Sequence, residues 1–269
     1  MQCREHVNLG VRLYKEEVRM KPPRLDYSIL EDLALSRKPV AVKFLPYRPE
    51  GIARVSKNLN FCQMFVEAQT SEPFYVQRED LSCVEPLILG MQEVDPVPMS
   101  GLVGEIDDLY EELRANQKIY YLIPRLLKGT CKCVVFASLD KAPYDPDVLV
   151  ITTDNVDQAR TIMRASVYST GEAWGSKGTP VLACSWLYIY PYLTGEINYM
   201  VSGMSMGMQT LKVLPQGLVI ISIPWQKLSM VLDNLRKMNW HPLSETVTGE
   251  DHKKRFAGIL EQIQGMIGD

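Results

Sequence analysis

The chain has 269 residues, enough for one large domain or two small ones, with the 46% apolar and 23% charged residues of an ordinary globular protein. A net charge of −3 lacks the basic excess of a nucleic-acid-binding domain, so nucleic acid is not an expected partner. No run reaches the roughly 18 apolar residues of a membrane span. The longest, Gly217–Trp225, is strand-sized, so no membrane association is expected.

The opening MQCREHVNLGVRLYKEEVRMK alternates charged and apolar residues. It lacks the apolar core and small-residue cleavage site of a secretory signal, so a cytoplasmic protein with reduced thiols is expected. Residues 1–37 read as a helical extension. Val7, Val11, Tyr14 and Val18 share a face, Pro22-Pro23 stops that helix, and Asp26 or Ser28 caps a second one to about Ser36. Pro39–Leu45 is a β-branched, apolar strand, followed by a loop over Pro46–Ala53. Asn60 caps a helix over Phe61–Ala68, and Phe74–Val76 is a short strand. Ser82 with Glu85 fits a capping box, predicting a helix over Cys83–Leu89 that stops at Gly90. A linker-like loop over Pro96–Gly104 precedes a charged helix over Glu105–Asn116.

Two strong strands follow, Cys131–Ser138 and Val148–Thr152, joined by the turn Lys141–Asp147. Asp154 opens an amphipathic helix to about Tyr168, and Gly171–Thr179 is a loop. Pro180–Ala183 reads as a short strand running into the aromatic segment Trp186–Tyr192. Met200–Met208 is rich in glycine and methionine, Lys212–Ile223 is a strand pair or bulged strand, and helices cover Trp225–Met238 and Asp251–Ile267. Alternating strands and helices predict an α/β or α+β fold, a mixed sheet with flanking helices around a single compact core. One domain over 1–269 is expected. The best place for a sub-domain boundary is near 96–104.

The chemistry-bearing residues are few. Six cysteines are present, but only three histidines (His6, His241 and His252), all near the ends of the chain. A central His-based metal site or Cys–His pair therefore has little material. Cys62 and Cys83 sit at predicted first turns of helices, where the positive end of the helix dipole favours thiolate. Cys184 follows a predicted strand end. Their spacing matches no standard zinc or ferredoxin pattern. The alternatives are a shared thiol site and buried thiols acting as small hydrophobes.

Cys131 and Cys133 form a C-x-C that strand alternation would place on one sheet face. They read as core thiols before they read as metal ligands. Extended geometry would put Met200, Met204, Met206 and Met208 on one side, lining a core or an adaptable pocket, with Gly203 and Gly207 allowing close backbone approach. Trp186, Tyr188, Tyr190 and Tyr192 would share one face of a strand, packing a core or walling a flat pocket. Glu105–Glu112 is a solvated acidic face. Lys43 interrupts an apolar strand, snorkelling or binding an anion, with Arg54 and Lys57 close in sequence. No phosphate loop or dinucleotide fingerprint occurs.

Four segments carry a further signal when taken together in this order: RKPVAVKFL (Arg37–Leu45), NFCQMFVEAQ…LSCVEPLILGM (Asn60–Met91), DVLVITTDNVDQARTIMRASVYSTG (Asp147–Gly171) and LACSWLYIYPYLTGEINYMVSG (Leu182–Gly203). With IPWQKLSMVLDNL (Ile223–Leu235), they resemble domain of unknown function 169, a family of bacteria and archaea, many of them anaerobes. The resemblance spans roughly residues 25–240. It implies that Cys62, Cys83 and Cys184 occupy the family's cysteine positions. It also places Gln209 where relatives often carry an arginine after a glycine-rich stretch. It carries no established reaction.

Together these readings predict a redox or metal-binding protein. Cys62, Cys83 and Cys184 would ligate an iron–sulfur cluster or another thiolate-bound metal. A ligand pocket drawn from Lys43, Tyr190, Tyr192, Asn198 and Met204 would lie beside them. The alternatives are a non-catalytic small-molecule binding protein with an aromatic and methionine-lined pocket, or a thiol-dependent enzyme.

Overall fold

The computed structural model describes residues 23–202, 206–241 and 248–267. Seven strands form one mixed sheet: β1 (Val40–Leu45), β2 (Ala53–Arg54), β3 (Phe74–Val76), β4 (Cys133–Ser138), β5 (Val148–Thr153), β6 (Asn198–Val201) and β7 (Val219–Pro224). Their order is β2-β3-β4-β1-β5-β7-β6, with β2–β3 the parallel pair and every other pair antiparallel. The helices are α1 (Phe61–Ala68), α2 (Glu85–Ile88), α3 (Pro96–Met99), α4 (Leu102–Ile106), α5 (Leu113–Leu122), α6 (Val156–Val167), α7 (Tyr190–Thr194), α8 (Met206–Thr210), α9 (Trp225–Lys237) and α10 (Gly249–Ile267).

The central strands are buried on both faces, which is why β1, β4 and β5 read as continuous apolar runs. Val40, Val42 and Phe44 point to one face with Val134, Phe136, Val148 and Val150. There they meet Phe61 and Met64 of α1, Ile119 of α5 and the aromatic segment. On the other face Leu149, Ile151, Ile221 and Ile223 pack on Ile162 of α6 and Leu228, Val231 and Leu232 of α9. Ala41, Leu45, Val135 and Ala137 continue that face beneath Tyr144. The protein is thus an α/β fold with helices on both sides of the sheet, as expected.

Several elements differ from expectation. The part of the N-terminal extension within the described residues holds one 3₁₀ turn, Ser28–Leu30, instead of a helix to Ser36. Tyr27, not Asp26 or Ser28, is the cap residue of that turn; Asp26 only accepts from the Ser28 N–H at 3.0 Å, and Ala34 takes φ 50°, which a helix cannot continue through. The earlier pattern, Val7 to Val18, lies outside the described residues. The helix expected over Glu105–Asn116 is two: α4 ends at Ile106 and α5 starts at Leu113. Asp108 at φ 51° turns the chain, and buried Asn116 donates Nδ2 to the Tyr110 and Glu112 carbonyls of the turn. Asn155, not Asp154, caps α6 by accepting from Asp157 N–H at 2.8 Å. Within Lys212–Ile223 only the strand from Val219 forms, and Lys212 has φ 49°.

The largest departure is the aromatic segment. It is not a strand: a π-helical turn, Ser185–Ile189, leads into α7. Positive φ at Leu182 (57°) ends any extended run before it. Helical spacing sorts the four aromatics by turns instead of by alternation. Trp186 and Tyr190 meet one turn apart at 5.7 Å with their rings tilted, while Tyr188 meets Phe61 at 5.2 Å and Tyr192 meets Phe44 at 4.8 Å. The C-x-C expectation fails for a related reason. The strand starts at Cys133, so Cys131 escapes alternation and packs in the core on one face, while Cys133 packs on the other.

Candidate functional site

Cys62, Cys83 and Cys184 line one cavity of about 270 Å³. Three local structures bring them there. Asn60 starts α1 in extended geometry, its N–H held by the Gln63 side chain at 3.0 Å, and this puts Cys62 in the first turn. Cys83 precedes α2, and its sulfur accepts the Phe61 N–H at 3.2 Å. Cys184 sits where the chain enters the π-helical turn. Ser185 pins that entry by donating to the Pro124 carbonyl. Ser82 caps nothing here, since α2 starts only at Glu85, and Gly90 ends it at φ 66°. A methyl group at Gly90 would stand 2.4 Å from the Leu127 carbonyl oxygen, so the turn needs glycine.

Glu85 completes the cluster, two residues after Cys83. The sequence suggested a capping role for it. In the fold its carboxyl faces the thiols of Cys83 and Cys184, and its Oε2 is buried without a hydrogen-bond partner. Burial raises the Glu85 carboxyl above its ordinary range, against the thiol hydrogen bonds that lower it. The thiols are unequal. Hydrogen bonding from the Cys184 thiol lowers Cys62, helped by the Cys62 and Gln63 N–H groups at the start of α1, against burial and the Glu85 charge. The same contact with Cys62 raises Cys184 well above the usual thiol range, reinforced by burial. Burial first, then the Glu85 charge, raises Cys83. Of the three thiols, Cys62 is the one shifted toward thiolate, while Cys83 and Cys184 are shifted toward the neutral thiol. The remaining wall is apolar: Val84, Pro98, Tyr120, Val181, Leu182 and Met208.

The other expected ligand residues do not join this cavity. Lys43 faces the opposite side of the sheet, paired with Asp147 at 3.1 Å and the Asp145 carbonyl at 3.0 Å, beside the Tyr144 ring. Arg54 and Lys57 are paired with Asp80 (2.9 Å) and Glu67 (3.3 Å). Tyr190 and Tyr192 pack on Trp186 and Phe44. Asn198 is fully buried and bonds backbone groups of Lys177 and Trp186. Met204 and Gly203 lie outside the described residues. Met208 of α8 lines the thiol cavity, whereas Met200 of β6 lines a separate one. Gly207 also lines the thiol cavity, and a methyl group there would meet no other atom of the chain. Among the described residues, no group of three or more His, Cys, Asp or Glu side chains is arranged to hold a metal ion. No helix among them is long and apolar enough to cross a membrane.

The fold and site define an α/β protein with a cavity lined by three cysteines and a buried carboxyl. The family model for domain of unknown function 169, described as an uncharacterised ArCR, matches residues 28–234, and the chain belongs to that family. No curated protein and no solved structure matches it.

Proposed function

We propose that the chain is a thiol-dependent redox protein in which Cys62 is the nucleophile, Cys184 its partner thiol and Glu85 the proton acceptor. The observation that carries this reading is the contact between the Cys62 and Cys184 thiols in an apolar cavity, with Cys62 on the first turn of α1. A helix N-terminus stabilises thiolate, and the thiolate is the attacking species. The substrate class is a small, largely apolar disulfide.

In the first step the Cys62 thiolate attacks one substrate sulfur. The substrate S–S bond breaks, and one thiolate leaves and takes a proton from water. In the second step the Cys184 proton passes to the Glu85 carboxylate, and the Cys184 sulfur attacks the Cys62 sulfur. The second substrate thiolate leaves and takes the proton from Glu85. Two protein thiols and one disulfide become one protein disulfide and two small thiols, with no further oxidant.

The test uses reduced protein and 2-hydroxyethyl disulfide, followed by peptide mapping. The expected product is a linked Cys62–Cys184 peptide. Cys184→Ser should stop at a mixed disulfide on Cys62. Absence of both products would refute the reading.

Ligation of an iron–sulfur cluster by Cys62, Cys83 and Cys184 is the second reading. It is favoured by the three thiols lining one cavity. Their present geometry does not fit a bound metal, so the side chains would have to turn toward a common centre. Iron and acid-labile sulfide in anaerobically purified protein, lost in Cys62→Ser, would favour this reading over the first.

A further inference from the structure

A second cavity, of about 450 Å³, lies along the edge strand β6. Met163, Pro180, Met200, Val201 and Val219 make it predominantly apolar, and Lys177 stands at its rim. The loop that carries Lys177 has no regular secondary structure, yet it is tied down at each step. Trp174 Nε1 donates to the Met163 carbonyl at 2.7 Å, and Ser176 Oγ donates to the Tyr199 carbonyl. Asn198 holds Lys177 from both sides. Its Oδ1 accepts the Lys177 N–H at 2.9 Å, and its Nδ2 donates to the Lys177 carbonyl at 2.9 Å. The same amide donates to the Trp186 carbonyl at 2.9 Å, anchoring the loop to the π-helical turn. Trp186 Nε1 fixes the exit by donating to Thr179 Oγ1 at 2.8 Å. A fully buried asparagine thus makes two of its three hydrogen bonds to the backbone of one exposed lysine.

That lysine has no ion pair among the described residues. Its ammonium rests 5.6 Å from the centre of the Tyr190 ring. Glu172, on the same loop, and Glu196, before β6, are both directed at Lys227, at 3.6 and 4.0 Å, and neither lines this cavity. A pre-placed, acid-free cation at the rim of an apolar cavity complements an anion with an apolar body. We propose that this cavity binds a small amphipathic carboxylate, its apolar body between Met163, Met200 and Val219 and its carboxylate on Lys177. The site is separate from the thiol cavity and does not depend on the redox reading.

The test is calorimetric titration of the full chain with decanoate and with 3-phenylpropionate, with decanol as the uncharged control. At least one acid should bind saturably. Lys177→Met and the change to decanol should each weaken binding by about tenfold, the loss of one charge-assisted hydrogen bond. Lys177 is exposed, so the variant should fold. Cys62→Ser should bind as the parent does. No saturable binding of either acid would overturn the proposal. So would unchanged binding by Lys177→Met, or loss of binding in Cys62→Ser, which would move the ligand to the thiol cavity.

Discussion

Asn198→Asp replaces one amide nitrogen with oxygen and leaves shape almost unchanged. The parent side chain accepts once, from the Lys177 N–H, and donates twice, to the Lys177 and Trp186 carbonyls, all at 2.9 Å. Aspartate keeps the acceptor and turns both donations into oxygen facing oxygen. A buried carbonyl left without its donor costs about 1–3 kcal/mol. The Trp186 carbonyl lies in buried surroundings and takes the full penalty, while Lys177 is in an exposed loop where water relieves part of it. With the buried charge added, the expected loss at pH 8 is about 3–5 kcal/mol. The loss is pH-dependent with a definite sign. Burial and two facing carbonyls raise the folded-state pKa of the new carboxyl above its unfolded value of about 3.9. The protonated acid restores one donation, so the variant is closest to the parent at low pH and falls behind as pH rises through the folded pKa. Urea unfolding of both proteins at pH 5 and pH 8 measures this. A variant within about 0.5 kcal/mol of the parent at both values would refute the tethering role of Asn198.

Three further outcomes are expected. Gly90→Ala combines φ 66° with a methyl 2.4 Å from the Leu127 carbonyl oxygen, and should lose about 2–5 kcal/mol in urea unfolding, the sum of left-handed strain and overpacking. An unchanged midpoint would show that the turn relaxes freely. Glu85 has a carboxyl raised above its ordinary 4.5 by burial, so its contribution favours the folded state below that value and is lost as pH rises through the folded pKa. Glu85→Gln should therefore gain stability relative to the parent between pH 4 and pH 8. The opposite slope would place a charged partner on Glu85. Cys184→Ala removes the hydrogen bond that lowers Cys62, so iodoacetamide should alkylate Cys62 with a pH midpoint above the parent's. An unshifted midpoint would assign the low value to the helix terminus alone.

Local chemistry was legible where one element satisfies itself. Apolar β-branched runs are strands in any setting that buries them, so β1, β4 and β5 stand close to where the sequence places them. Asn60 before an amphipathic run predicts α1 over the residues that form it, and Gly90 marks a turn only glycine enters easily. The three cysteines were identifiable as a set from their positions at element ends and from the family resemblance.

Tertiary structure decided the rest. Alternating aromatics read as a strand, because side-chain period two is the simplest local rule. The segment coils because its rings find partners at helical spacing on Phe44 and Phe61, distant in sequence. Glu85 carried no signal beyond a capping pattern, since only the meeting of α2 with the π-helical turn buries its carboxyl beside two thiols. Lys43 looked available until the fold brought Asp147 to it across 104 residues. The split of the expected pocket in two follows from the strand and helix assigned to Met200 and Met208, which place them in different cavities. By itself the sequence determined which residues can carry chemistry, because reactivity is a property of the side chain. Which of them share an environment is a property of long-range packing, and only the fold sets it.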